Sequence, residues 1–170
     1  MSLLPGRLGL LTARDVMTRD VITLKDTDSI EIAIGRFREH HITGAPVADS
    51  NGKFVGILSL TDLARSAPIR ASDSEVQSLP LAHGMDKASW DLFASAVPVE
   101  AAVRTQTVRE RMSRRVKFVS QKTSIVEVAR VMCGGHWHRV PVVDEHNTLC
   151  GIISTMDILA AVVNVADEPD

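Results

Sequence analysis

Apolar positions near the start of the chain predict a short strand followed by an amphipathic helix. Residues 21–24 are rich in β-branched side chains, which favour a strand. The next apolar residues recur at the spacing of one helix face: Ile30, Ala33, Ile34 and Phe37. Asp28 precedes this face, and Glu31 lies three residues after Asp28, as in a capping box. Asp28 is therefore the predicted N-cap.

Two further strands and a second helix are predicted after this helix. Residues 45–49 form the second strand, and a third strand returns after a turn. The turn contains Asn51 and Gly52, a pair that tolerates the positive φ of a tight hairpin. Thr61 or Asp62 is the predicted cap of the helix that follows. The order of elements is therefore β-α-β-β-α.

The same pattern occurs twice in the chain. Residues 56–62 read Gly-Ile-Leu-Ser-Leu-Thr-Asp and residues 151–157 read Gly-Ile-Ile-Ser-Thr-Met-Asp, a shift of 95 positions. The shift aligns residues 14–67 with the later copy without a gap, and such a repeat dictates the architecture. The predicted fold class is α/β (α+β), with two β-α-β-β-α repeats. The predicted segments are a leader (1–13), repeat 1 (14–67), an insert (68–103), repeat 2 (104–165) and a tail (166–170).

The insert matches neither repeat, and it contains one short amphipathic helix. Its apolar residues follow helical spacing and stop at Pro98: Trp90, Phe93, Ala94 and Val97. One interpretation is a connecting helix packed on the domain. The other is a helix that docks a partner, forms a dimer or covers a cleft.

Composition narrows the class of protein. The hydrophobic share of 45% suits a globular chain, and the net charge of −2 gives no attraction toward nucleic acid or anionic membranes. No apolar run is long enough to span a bilayer, and the amino terminus lacks a secretory signal. Cys133 and Cys150 form no disulfide framework, which favours a reducing cytoplasm. The expected location is therefore cytoplasmic.

Two β-α-β-β-α repeats, each with a Gly-h-h-Ser-x-x-Asp motif (h, hydrophobic) opening its last helix, resemble a tandem pair of cystathionine-β-synthase (CBS) domains, or Bateman module. The resemblance implies that the repeats pack with pseudo-twofold symmetry and that two chains form a homodimer. It implies a regulatory, energy-sensing module that binds an adenine nucleotide in the clefts between its repeats. AMP, ADP or ATP is expected ahead of S-adenosylmethionine or NADH. An unidentified effector protein is a further candidate partner, and no nucleic-acid or membrane partner is expected.

The motif itself suits a nucleotide. A helix start offers unpaired backbone N–H groups and the positive end of the helix dipole, which together attract phosphate. Ser59 and Thr61 add hydroxyl donors, and Asp62 adds a carboxylate that suits a ribose diol. The alternative is that these residues only cap the helix, as Ser, Thr and Asp commonly do.

The resemblance implies that each site is lined in part by residues of the opposite repeat. The residues of the first site are Ser59, Thr61, Asp62, Met112, Lys117, Trp137, His138 and Arg139. The residues of the second site are Met17, Ile22, Ile42, Thr43, Ser154 and Asp157. The first site is expected to bind phosphate better, because Lys117 and Arg139 are cationic and the second motif has Met156 in place of Thr61.

A metal site and an enzyme are both disfavoured. Cys133, His136 and His138 have ligand-like spacing, with a His pair at 40–41 in the other copy, but no second cysteine pair completes a tetrahedron. Cys133 is instead expected to be a small buried residue. No catalytic motif occurs. The alternative function is an interaction module with empty clefts that docks a partner through the insert.

Overall fold

The computed structural model describes residues 8–64 and 101–167. Their elements, in chain order, are α1 (Ala13–Val16), β1 (Leu24–Lys25), α2 (Ile30–Glu39), β2 (Gly44–Ala48), β3 (Phe54–Ser59), α3 (Leu60–Ala64), α4 (Ala101–Arg104), α5 (Val108–Arg111), β4 (Val119–Ser120), α6 (Ile125–Gly135), β5 (Arg139–Val143), β6 (Leu149–Ser154) and α7 (Thr155–Asp167). The predicted helix of the insert, around Trp90, lies outside the described residues.

The strands form two three-stranded sheets of the same topology. The strand orders are β1-β2-β3 and β4-β5-β6. The first two strands of each sheet are parallel, with Leu24 opposite Val47 and Val119 opposite Val142. A parallel pair needs a crossover connection, which α2 and α6 supply. β5 and β6 are antiparallel and are joined by the short connection 144–148, as expected of a hairpin. The α/β fold with two β-α-β-β-α-like repeats is therefore confirmed.

The starts of the first strand and of α2 differ from the prediction. The strand predicted over 21–24 begins only at Leu24, because β1 pairs with β2 through just Leu24 and Lys25. Asp28 is not the N-cap: its carboxylate accepts a hydrogen bond from the amide of Lys25 at 2.9 Å and closes the preceding turn. The side chain of Ser29 caps α2 instead, accepting from the amide of Ile32 at 3.3 Å.

The backbone forms two compact units, and neither is a single sequence repeat. The first-repeat unit comprises the described residues 22–51, 55–64 and 101–116, and the second-repeat unit comprises 8–21, 52–54 and 117–167. Each unit therefore combines most of one repeat with the amino-terminal part of the other. In the first-repeat unit, Ile57 and Ser113 exchange two backbone hydrogen bonds of 3.0 and 2.8 Å. In the second-repeat unit, Thr18 and Ile152 do the same at 3.0 and 2.9 Å.

Each unit has its own apolar core, to which the added segment contributes. The first core contains these fully buried residues: Leu24, Ile30, Phe37, Leu58 and Val108. The second contains Ala13, Val128, Val140, Val142 and Ile153. Each large apolar side chain removed from water stabilises its unit by about 1.5–3 kcal/mol. Val108 of α5 and Ala13 of α1 therefore tie their short helices to the cores that they join.

Helix α7 is apolar on both its packed and its exposed face. Ala161 and Val165 are buried. Met156, Leu159 and Val163 are 61%, 54% and 55% exposed, respectively. No helix of the described residues is long and apolar enough to cross a membrane.

Candidate functional site

Both copies of the glycine-serine-aspartate motif join the last strand of a sheet directly to a helix. β3 ends at Ser59 and α3 begins at the next residue, and β6 ends at Ser154 immediately before α7. The prediction that Thr61 or Asp62 caps the first of these helices is wrong. The serine occupies the cap position, and the aspartate lies three residues further, inside the first helical turn.

The serine and the aspartate of each motif cap the helix reciprocally. Oδ2 of Asp62 accepts hydrogen bonds from the amide of Ser59 at 2.8 Å and from its hydroxyl at 2.6 Å. The Ser59 hydroxyl oxygen accepts in turn from the amide of Asp62 at 3.3 Å. Ser154 and Asp157 repeat these bonds at 2.6, 2.7 and 3.3 Å. The capping role anticipated as an alternative is therefore present in both copies, and it occupies one carboxylate oxygen of each aspartate.

The second carboxylate oxygen distinguishes the two copies. Oδ1 of Asp62 accepts a hydrogen bond from the hydroxyl of Ser113 at 2.8 Å. Within residues 8–64 and 101–167, no hydrogen bond reaches Oδ1 of Asp157. Ser113 is not among the residues predicted for either site. The shift of 95 positions that reveals the repeat aligns Ser113 with Thr18, and a hydroxyl following a methionine in both copies could have indicated it.

The glycine of each motif allows another segment of the same unit to approach the motif strand closely. A Cβ atom at Gly56 would lie 2.6 Å from the carbonyl oxygen of Ser113 and 3.2 Å from Sδ of Met112. A Cβ atom at Gly151 would lie 2.7 Å from Sδ of Met17. Glycine is required because any side chain would displace these segments. Met112 and Met17 thus lie against the motif strand in each unit.

A cation lies beside the second motif. Arg139 begins β5 opposite Ser154 in the strand register. Desolvation lowers the pKa of the Arg139 guanidinium, and the nearby Asp157 carboxylate opposes that effect, so the group stays charged. The carbonyl of His138 accepts hydrogen bonds from the amide and the hydroxyl of Thr155, at 3.1 and 3.3 Å. The start of α7 therefore has a guanidinium, a carboxylate and two hydroxyls within one unit.

The first motif has the same backbone without the cation. The carbonyl of Thr43 accepts from the amide of Leu60 at 2.9 Å, as His138 does from Thr155. The position that corresponds to Arg139 is Gly44, where a Cβ atom would lie 3.1 Å from Cβ of Ser59. This site therefore has no side chain that could neutralise a phosphate at the register position of Arg139.

An exposed indole precedes the cation. Trp137 is 38% exposed, and a Cβ atom at Gly135 would lie 2.6 Å from its ring. The indole therefore lies against the end of α6, where His136 adopts a left-handed conformation with φ 53°. The corresponding residue of the first copy, Ile42, packs instead against the first core.

The residues of each predicted site fall in both units. Ser59, Thr61, Asp62 and Met112 belong to the first-repeat unit, as do Ile22, Ile42 and Thr43. Lys117, Trp137, His138 and Arg139 belong to the second-repeat unit, as do Met17, Ser154 and Asp157. Contacts within units bring Met112 to the first motif and Met17, His138 and Arg139 to the second. The predicted pairing of Arg139 with Asp62 remains a prediction.

The cysteine-histidine cluster differs from expectation in one respect. Cys133 is exposed rather than buried, because its neighbour Met132 takes the inward position on α6. Among the described residues, no group of three or more His, Cys, Asp or Glu side chains could hold a metal ion.

Comparisons with known proteins agree with this architecture. The family model of the CBS domain matches residues 13–68 and 108–164. The uncharacterized protein MJ1426 of Methanocaldococcus jannaschii is 29% identical over 162 residues, which cover 91% of this chain and 92% of that protein. The chloroplastic CBS domain-containing protein CBSX1 of Arabidopsis thaliana is 26% identical, covering 96% of this chain and 69% of that protein. The crystal structure of CBSX2 in complex with AMP has a TM-score of 0.65 at 24% identity, covering 91% of this chain and 98% of that one.

Proposed function

Because this chain belongs to the CBS domain family as a tandem pair, we propose that it is a regulatory module that binds an adenine nucleotide. Support comes from the family and from CBSX2, a protein of the same fold whose crystal structure contains AMP. Binding would shift the equilibrium between two arrangements of the module, because the nucleotide has a higher affinity for one arrangement than for the other. The role is sensing rather than catalysis.

The observation that carries this proposal is the group of side chains at the start of α7. Arg139, opposite Ser154, supplies a guanidinium that would bind phosphate bidentately. The positive end of the dipole of this 13-residue helix favours the same anion. Oδ1 of Asp157 is the carboxylate oxygen left by the cap, so it would accept a ribose hydroxyl. Trp137 offers an aromatic face for the base.

This assignment differs from the expectation drawn from the sequence. There, Arg139 was assigned to the site of Asp62, and that site was expected to bind phosphate better. Arg139 shares a unit with Asp157, whose carboxylate opposes the lowering of the guanidinium pKa by desolvation. In addition, Ser113 engages the Oδ1 atom of Asp62. We therefore assign the tighter phosphate and ribose contacts to Arg139 and Asp157.

Calorimetry with AMP, ADP and ATP, alongside S-adenosylmethionine and NADH, tests the proposal. Saturation by an adenine nucleotide that weakens at least tenfold in Arg139→Met is the expected result. Arg130→Met is the matched control, since Arg130 is an exposed arginine of the same unit that pairs with Glu127 on α6. A parent protein that binds none of the five compounds contradicts the proposal and favours the interaction module that docks through residues 68–103.

A homodimer forms part of the proposal, supported by the exposed face of α7. A helix that is apolar all round is normally buried. Asp157 is the one charged residue between Thr155 and Ala166, and it caps the helix. In the first copy, the polar residue Thr61 corresponds to Met156, so the first turn of α3 is less apolar than that of α7. An uncharged face suits pairing with itself in a second copy, since symmetry then opposes no like charges.

A further inference from the structure

Two pockets occupy equivalent places in the two units, at the carboxyl ends of the parallel strands. The pocket of the first-repeat unit, of about 330 Å³, includes Asp26, Asp49 and Arg109 in its lining. The pocket of the second-repeat unit, of about 270 Å³, includes Gln121, Asp144 and Arg14. The shift of 95 positions relates Asp26 to Gln121, Asp49 to Asp144 and, in the opposite direction between the units, Arg14 to Arg109. The carboxyl ends of parallel strands are a common place for ligands in α/β folds.

The backbone around the two arginines is the same. The amide of Arg109 donates to the carbonyl of Asp26 at 2.9 Å, and the amide of Arg14 donates to the carbonyl of Gln121 at 3.0 Å. A second arginine reaches back to each: Arg114 donates to the carbonyl of Arg109, and Arg19 donates to that of Arg14, both at 3.1 Å. Differences between the pockets therefore arise from side chains.

In the first-repeat unit an internal carboxylate satisfies the arginine. Asp26 is 2% exposed and is the buried charged residue of the described chain. Its Oδ2 accepts from Nε of Arg109 at 2.9 Å and also from Nη2. A buried carboxylate needs such a partner, and a guanidinium satisfies it with two donors. The side chain of Asp26 thus shows how a carboxylate fits this position.

In the second-repeat unit the corresponding carboxylate is missing. Gln121 is neutral, and its Nε2 donates to Sγ of Cys150 at 2.8 Å. Among the described residues, no carboxylate forms a hydrogen bond or ion pair with the guanidinium of Arg14, which is exposed. The charge of Arg14 helps to lower the pKa of the neighbouring Asp15, but Oδ2 of Asp15 accepts its hydrogen bonds from the amide and the hydroxyl of Thr12.

The other acids near Arg14 are also engaged. Oδ1 of Asp144 accepts from the amides of His146 and Thr148, both at 2.8 Å. Glu145 pairs with Lys122. Of the lysine and the arginine that line the pocket, Lys122 is thus paired, and Arg14 has no bonded carboxylate among the described residues.

We propose that the pocket of the second-repeat unit binds a small organic carboxylate. The ligand accepts hydrogen bonds from the guanidinium of Arg14, as the side chain of Asp26 does from that of Arg109. The pocket lies beyond Val143, at the carboxyl end of β5, whereas Arg139 and the nucleotide motif lie at its amino end. Five strand residues separate the two ends by roughly 15 Å, so this site is distinct from the proposed nucleotide site.

Titration of the full chain with acetate, lactate and succinate, followed by NMR of the arginine Nε–H groups, tests the proposal. At least one carboxylate should give a saturable shift of the Arg14 signal, with the affinity reduced at least tenfold in Arg14→Met. Arg130→Met should bind as the parent does. Tighter binding of inorganic phosphate than of every carboxylate overturns the assignment, as does the absence of any saturable shift.

Substitution at position 121 gives a test that retains Arg14. Gln121→Asp should place an internal carboxylate against Arg14, as Asp26 does against Arg109, and so compete with the ligand. Gln121→Asn, which stays neutral, should retain binding. Because the first-repeat unit already accommodates the acidic residue, a folding failure is not expected, and thermal unfolding checks it. Equal carboxylate affinity in Gln121→Asp and the parent overturns the proposal.

Discussion

The hydroxyl of Ser113 donates a hydrogen bond of 2.8 Å to Oδ1 of Asp62, although the residues are 51 positions apart. The bond fastens the segment after α5 to the start of α3, inside the first-repeat unit. Together with Ser59, it engages both oxygens of the Asp62 carboxylate. Asp62 is therefore a structural residue, whatever ligand it contacts.

Asp62→Ala should destabilise the protein. The change removes the bonds from Ser59 that cap α3 and the bond from Ser113, and loss of a helix cap alone costs about 1 kcal/mol. Denaturant unfolding should show a lower midpoint, with a smaller decrease in Ser113→Ala, which removes one of these bonds. An unchanged midpoint in Asp62→Ala would contradict the structural role.

Nucleotide affinity should depend on Asp157 more than on Asp62. Asp157→Ala and Arg139→Met should each weaken AMP by at least tenfold in calorimetry, since each removes charge-assisted hydrogen bonds. Asp62→Ala serves as the comparison and should retain the tighter phase. Loss of that phase in Asp62→Ala, with Asp157→Ala unaffected, would support the assignment drawn from the sequence instead.

Asp26→Asn should destabilise the first-repeat unit by about 2 kcal/mol, because a buried carboxylate loses charge-assisted bonds to Arg109. This value is below that of a fully buried pair, since Arg109 is 58% exposed and water screens its charge. A double-mutant cycle with Arg109→Met, followed by denaturant unfolding, measures the coupling. Strictly additive effects would show that the pair contributes no coupling energy.

The carboxyl of Asp15 should titrate below its ordinary pKa of 3.8, because the Thr12 side chain and then the Thr12 amide donate hydrogen bonds to it. A lowered folded pKa gives stability that is present above the ordinary pKa and is lost as the pH falls through the folded value. Thr12→Val should raise the pKa of Asp15 toward 3.8, measured by NMR titration of its side chain. Thr107→Val, which acts on Glu110 instead, should leave Asp15 unchanged.

Leu159→Glu should dissociate the homodimer, since it places a charge in the centre of the exposed apolar face of α7. Sedimentation velocity over a range of concentrations measures the change. Ile32→Glu is the matched control, because Ile32 is a 49% exposed apolar residue on a helix of the other unit. A parent protein that sediments as a monomer at every concentration contradicts the dimer, and a dimer that persists in Leu159→Glu excludes this face.

Local patterns in the sequence determined the repeat and the β-α-β-β-α order of its elements. The spacing of Ile30, Ala33 and Phe37 predicted a helix face, and all three are buried because periodicity reports directly on which side faces a core. Gly52 was predicted to occupy a turn, and its φ of 76° agrees. The two motifs identified the family because their residues and spacing are visible without any knowledge of folding.

The tertiary structure alone decided which side chains meet. That Ser59 rather than Asp62 would take the cap position depended on where β3 ends, which the sheet sets through pairing. The exchange of α1 and α5 between repeats placed Arg14 beside Gln121 and Arg109 beside Asp26, contacts between residues 107 and 83 positions apart. Periodicity reports only on neighbours within one element, so the partner of a charged side chain emerges when distant segments pack together.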